Sequence, residues 1–267
     1  MAYKFARYGM PHPTMVINPQ DPGPVMTVPI VGVPRGGTTM VAAVVDALGI
    51  DLGPRKDLAK ANTFEDQGMV QADIGLRLSY IHQRNGEREI WGWKYPTAIS
   101  TTKSLFFALR FPRVIMVFRD VMASVDSEMR FDEVKKTKPA RLFSDLMEAT
   151  LNWWQTNREF VTRTTYPVLL VSYERALQVP DVFVHELGAF LGIEPTHDQL
   201  LEALARINPH GGYLQMDEQG HPIAVVKPLP QVVPAVVPVA PKPAPKPAPA
   251  PAPAPKPDPK PDPKPAT

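Results

Sequence analysis

The stretch VGVPRGGTTM, residues 31–40, gathers one cation, two adjacent glycines and two hydroxyls: Arg35, Gly36, Gly37, Thr38 and Thr39. Glycines let backbone N–H groups approach an anion, and a helix starting just after them adds its N-terminal dipole. Against the phosphate-loop pattern G-x-x-x-x-G-K-[ST], Gly32 and Gly37 match and Thr39 takes the hydroxyl position. Thr38 stands where the lysine belongs. In a nucleoside triphosphatase that lysine reaches the β- and γ-phosphates, and the hydroxyl binds magnesium. Here the loop's only cation is Arg35, and the apolar run ending in Asp120 has an arginine before the carboxylate, unlike a metal-holding strand. The loop therefore suits a ligand with less negative charge than a triphosphate–magnesium complex, such as one with a phosphate and a sulfonate at its 5′ end.

A second cation with a partner occurs in VIMVFRDVMASVDS, residues 114–127. Arg119 ends an apolar run and Ser127 follows eight positions later. That spacing is about two helical turns, which returns the serine to the face served by the arginine. An arginine leaving the carboxyl end of a parallel strand points into the crevice where such sheets bind ligands. Its guanidinium grips two oxygens of a terminal phosphate at once.

The elements that must position these groups alternate along the chain. Short apolar runs at 28–33, 90–94, 114–119 and 168–173 read as strands, most of them covered on both faces. Helical periodicity covers 39–48, 64–84, 100–109, 141–163, 182–191 and 198–207, with Gly192 as a helix stop. The alternation predicts an α/β fold: a single domain with a parallel sheet flanked by helices, similar to phosphate-loop nucleoside triphosphatases. Residues 1–24, rich in proline, glycine and polar groups, are expected to wrap the surface irregularly. The domain itself is expected over 25–215, followed by a connector over 216–227.

Residues 228–267 are a different material, holding 17 of the chain's 33 prolines in Pro-Ala-Lys repeats. Such a segment buries too little apolar surface to offset its ordering entropy. It is expected to be a disordered spacer of polyproline type, spanning at most about 120 Å, and able to tether a partner. The tail also carries the net basicity: without it the chain has 24 basic and 25 acidic residues. A near-neutral body argues against general nucleic-acid binding. The absence of cysteine excludes disulfides, zinc–thiolate sites and iron–sulfur clusters. No apolar run approaches the ~20 residues of a membrane span, and MAYKFARYGMPHPTM lacks the apolar core of a signal peptide. A cytoplasmic protein is the expectation.

The stretch PRGGTTM resembles the 5′-phosphosulfate loop of the sulfotransferases, whose usual form is P-[KR]-S-G-T-[ST]-W or -L. The Arg119–Asp120 and Ser127 segment resembles that family's second motif, a strand ending in R-[ND]-P with a serine eight positions on. VSYERAL (171–177) and LGAFLGIEP (187–195) resemble its Y-E-x-L segment and F-L-G-I helix end, so the resemblance runs from about residue 28 to 195. It departs at Gly36 for serine, Met40 for tryptophan and Val121 for proline. NPHGGYL (208–214) lacks the R-K pair of the cytosolic branch's nucleotide-covering loop.

The resemblance implies 3′-phosphoadenosine 5′-phosphosulfate as co-substrate, with no metal required. It implies that Arg35, Gly36, Gly37, Thr38 and Thr39 hold the 5′ end, and that Arg119 and Ser127 hold the 3′-phosphate. Arg35 and Lys94, in WGWKYP, would stabilise the leaving phosphate. None of the six histidines lies in the context of that family's catalytic histidine. ANTFEDQGM (61–69) resembles the F-E-D or W-E-D segment of bacterial members, which makes Glu65 the candidate base and Asp66 the reserve. The acceptor would be a small molecule or carbohydrate with a hydroxyl or amine. Two other readings stay open: a phosphate-loop kinase or nucleotide hydrolase with an altered loop, and an inactive nucleotide-binding module tethered by its tail.

Overall fold

The computed structural model describes residues 12–54, 64–135, 141–207, 215–216 and 222–223. Most of the 216–227 connector, all of the 228–267 tail and the 208–214 glycine segment lie outside the described residues. The chain divides into two units, Met1–Val226 and Lys227–Thr267, and the fold described is that of the first.

Its elements are β1 (Thr14–Ile17), β2 (Met26–Val31), α1 (Thr38–Ala47), α2 (Gln67–Val70), α3 (Ile74–Glu87), β3 (Ile90–Lys94), α4 (Ala98–Thr102) and a 3₁₀ helix (Lys103–Ala108). Then come β4 (Val114–Phe118), α5 (Val121–Lys135), α6 (Phe143–Arg163), β5 (Val168–Ser172), α7 (Tyr173–Gln178), α8 (Pro180–Leu191) and α9 (His197–Arg206). A two-residue ladder pairs β6 (Gln215–Met216) with β7 (Pro222–Ile223). The main sheet has the order β1-β5-β4-β2-β3. Strands β2 to β5 are parallel, as expected of short strands joined by helical crossovers.

Two expectations need correction. Residues 14–17, placed in an irregular segment, form β1, which pairs antiparallel with β5 from Thr14↔Val171 to Ile17↔Val168. The sheet is therefore mixed: TMVI combines β-branched and apolar side chains, and it covers an otherwise open edge of β5. The single helix expected over 64–84 is two helices, because Gln71 adopts an extended ψ of 144° and Asp73 restarts the helix by accepting from Leu76 N–H at 2.8 Å.

Strand β2 buries every residue of MTVPIV. On one face of the sheet, α1, α8 and α9 contribute Val41, Val44, Phe183, Leu187 and Ala203 to a continuous core. On the other, α3 and α6 supply Ile81 and Phe160 against Trp91, Trp93 and Met116. The crossover from β3 to β4 passes over β2, so the strand order reverses at β2. That reversal opens a crevice at the carboxyl ends of β2 and β4, where doubly wound sheets bind ligands. The two motif loops leave the sheet there side by side.

Candidate functional site

After β2 the chain makes a tight loop fixed from three sides. Gly32 N–H donates to Pro96 O at 2.9 Å, while Asn157 of α6, fully buried, donates from Nδ2 to Gly32 O at 2.9 Å. Gly36 N–H closes a turn onto Val33 O at 3.0 Å. A Cβ on residue 36 would stand 2.8 Å from that same oxygen, so the family's usual serine does not fit this turn without a shift. Arg35 has φ 58°, and Gly37 has φ 88° immediately before α1. Helix α1 receives no side-chain cap and carries no acid in its first turn. Its first N–H groups and positive dipole end therefore face the loop, an arrangement that favours anions. Thr38 is buried and Thr39 half-buried at that end.

The second motif meets the first through Arg35. Arg35 Nε donates to Ser127 Oγ at 3.3 Å, and Arg119 Nη1 donates to Arg35 O at 2.8 Å. Beneath them, Phe131 of α5 lies 4.7 Å from the Arg35 guanidinium, and Tyr173 lies 4.8 Å from that of Arg119. The Tyr173 ring also fills the space a side chain on residue 37 would need: a Cβ there would sit 2.1 Å from Cδ2. One aromatic ring thus supports both loops. Burial raises the Tyr173 pKa, with Arg119 opposing the shift. Asp120 is occupied as the cap of α5, accepting from Ala123 N–H at 2.8 Å, and its own N–H donates to Glu174 at 2.9 Å.

Glu65 and Lys94 come together beside this cluster. Lys94 Nζ donates to Glu65 Oε1 at 2.8 Å, and the two residues also bridge along their backbones. The lysine side chain is 3% exposed and the glutamate 29%, so the carboxylate is the member that reaches solvent. Burial lowers the Lys94 pKa; Glu65 opposes this, and the charge of Arg35 adds to it. The Arg35 charge is therefore close enough to act on the pair. The reserve carboxylate, Asp66, is 1% exposed; it caps α2 through Gly68 N–H at 2.9 Å and accepts from Tyr80 OH at 2.9 Å. Burial, then Asp66, push the Tyr80 phenol upward.

Asn157, Tyr173 and Phe131 were not singled out as site residues by sequence. The Y-E pair was the available signal for Tyr173, whereas nothing local marks an asparagine in α6 as a loop anchor. Trp91 and Trp93 are core residues, 5.5 Å apart, and Trp154 of α6 packs 4.7 Å from Phe118. His82, His185 and His197 are exposed, and His12 pairs with Glu186 at 2.6 Å. Among the described residues, no group of three or more His, Asp or Glu is placed to share a metal ion, and no helix is long and apolar enough to cross a membrane.

A profile of the sulfotransferase domain matches residues 27–208, the segment that contains every residue of this site. The chain belongs to the sulfotransferase domain family. Comparison with curated protein sequences found no match. Among solved structures, mouse sulfotransferase SULT7A1 complexed with PAP superposes with a TM-score of 0.50 at 13% identity, over 70% of this chain and 66% of that one. STF1 from Mycobacterium tuberculosis gives 0.48 at 12% identity over 67% and 70%. The sulfotransferase domain of a Synechococcus olefin synthase gives 0.45 at 16% over 76% and 86%. At such identity the mouse enzyme carries the fold alone. In this sulfotransferase-family chain the sheet order, the loop after β2 and the arginine after β4 are parts of that one domain.

Proposed function

We propose that the chain transfers a sulfuryl group from 3′-phosphoadenosine 5′-phosphosulfate to a hydroxyl or amine. The observation that carries this reading is the Arg35 junction: one residue bonds to Ser127 through its side chain and to Arg119 through its carbonyl. The two loops from neighbouring strands are thereby joined at one place, which supports a nucleotide phosphorylated at both its 5′ and 3′ ends as the ligand. The residues fit such a ligand. The end of α1 is uncapped, and Arg119 Nε is buried with no acceptor. Arg35, Gly36, Gly37, Thr38 and Thr39 would hold the 5′ end, and Arg119 with Ser127 the 3′-phosphate.

The bound donor supplies an activated sulfur–oxygen bond. Glu65 takes the acceptor's proton as the acceptor oxygen or nitrogen bonds to sulfur and the bond from sulfur to the 5′-phosphate oxygen breaks. Arg35 and Lys94 then meet the negative charge left on that phosphate. Protonation of Glu65 weakens its hold on Lys94, which frees the ammonium as the charge develops.

The test is thermal stabilisation of the full chain by 3′,5′-adenosine bisphosphate with chelator, set against ATP with magnesium. At a hundredfold excess over Kd the bisphosphate should add about 2.7 kcal/mol, or roughly 5–11 °C for a domain this size. Stabilisation by ATP with magnesium alone would overturn the reading. Acceptors are then screened by the mass gain of one SO₃ group.

A further inference from the structure

We propose that the acceptor carries an oxyanion besides its reacting hydroxyl or amine, and that Arg77 binds that oxyanion; this rests on the sulfotransferase reading above. Among the described residues, four arginines are buried: Arg77, Arg84, Arg113 and Arg206. Three are neutralised or fully engaged. Arg84 pairs with Asp51 at 2.8 Å, Arg206 pairs with Asp46 at 2.6 Å, and Arg113 donates to Phe190 O and Gln20 O at 2.8 and 3.0 Å. Arg77 is the exception. It is 4% exposed, and among the described residues no carboxylate or carbonyl takes a hydrogen bond from its guanidinium. A buried guanidinium without a partner is costly, and a ligand anion removes that cost.

The register of α3 places Arg77 at the site end of the sheet. Arg84 lies 5.3 Å over Trp91, at the level where Asp51 bridges to β3. One turn earlier in the helix, Tyr80 bonds to Asp66, the neighbour of Glu65, at the level where Glu65 bridges to Lys94. From Arg84 to Tyr80 the helix thus climbs from the start of β3 to its carboxyl end. Arg77, three residues farther on and about 4.5 Å higher, stands at the level of that carboxyl end. Arg77 belongs to the buried face of α3, which packs on the Trp91 and Trp93 face of the sheet. Ile81 lies one turn from Arg77 on the buried face of α3. A buried guanidinium without an acceptor, level with the strand end that carries the proposed base, calls for a ligand that brings acceptor oxygens. The planar fork of arginine matches a carboxylate or a phosphate ester.

The experiment saturates the full chain with 3′,5′-adenosine bisphosphate, so that the nucleotide's anion pockets are filled. Benzoate, phenyl phosphate and benzamide are then titrated calorimetrically. At least one of the two anions should bind about tenfold or more tightly than benzamide, the factor expected for a charge-assisted hydrogen bond, and the stronger of them names the oxyanion. Arg77→Met should abolish the preference while melting no lower than the parent, because it removes an unpaired charge. Arg77→Lys should keep part of the preference. Equal or absent binding of all three probes, a preference that survives in Arg77→Met, or an Arg77→Met chain that fails to fold would each overturn the inference. Failure to bind the bisphosphate refutes the donor reading before any probe is added; bisphosphate binding without anion preference refutes this inference alone.

Discussion

Gly37→Ala offers the sharpest probe of the coupling between the two loops. The new methyl group meets two separate penalties. At φ 88° a non-glycine residue is strained, by about 1–2 kcal/mol. Its Cβ would also lie 2.1 Å from Tyr173 Cδ2 and 2.5 Å from Cε2, whereas carbon atoms settle at about 3.5–4.0 Å. The ring must therefore retreat by roughly 1.5 Å, into a packed surround where overpacking costs about 1–3 kcal/mol. The sum is about 2–5 kcal/mol, which urea denaturation resolves easily. The ring cannot move alone, because it supports the Arg119 guanidinium at 4.8 Å. Affinity for 3′,5′-adenosine bisphosphate should fall together with stability, although residue 37 presents no side chain to a ligand. Tyr173→Ala in the same chain makes the room the methyl group needs. The pair should then show a coupling energy of about 1–3 kcal/mol in a double-mutant cycle. Additive losses, or a Gly37→Ala chain within about 0.5 kcal/mol of the parent, would refute the claim that one ring holds both loops.

Arg119→Ala should weaken bisphosphate binding by about 1.5–3 kcal/mol, read by calorimetric titration; unchanged affinity removes the residue from the site. Asn157→Leu leaves Gly32 O without its donor and should cost about 1–3 kcal/mol of stability, so an unchanged urea midpoint would show that the loop needs no anchor in α6. Lys94→Met tests the buried pair through pH. Burial holds the lysine pKa below its ordinary 10.5, so in the window up to that value the unfolded chain keeps a proton that the folded chain has released. The lysine's contribution to stability therefore rises with pH there. Urea midpoints taken from about pH 8 to 9.5, a range chosen to lie under the ordinary lysine value, should climb more steeply in the parent than in Lys94→Met; parallel curves would contradict the assignment.

Three of the parallel strands were legible because each is a short apolar run closed by a chemical punctuation mark: glycines after β2, Lys94 at the end of β3, Arg119 after β4. β1 was not legible, since TMVI lies among prolines and gains its hydrogen bonds only from β5, more than 150 residues away. The break between α2 and α3 was hidden for a related reason: apolar spacing continues through it, and only the extended backbone at Gln71 and the cap at Asp73 interrupt the helix. At the site, the residues proposed to touch a ligand stand out by their types and spacing, whereas those that hold them in place do not. Spacing brings Arg119 and Ser127 to one face, but no local pattern says that Arg35 is the member bonded to both, or that Asn157 reaches across from α6 to grip Gly32. The departures from the family's loop follow the same division. Gly36 looks like a lost hydroxyl when read along the chain, yet in three dimensions a Cβ there collides with the carbonyl of Val33. A serine at 36 therefore requires a differently shaped turn, because the Val33 carbonyl occupies the space its Cβ would need.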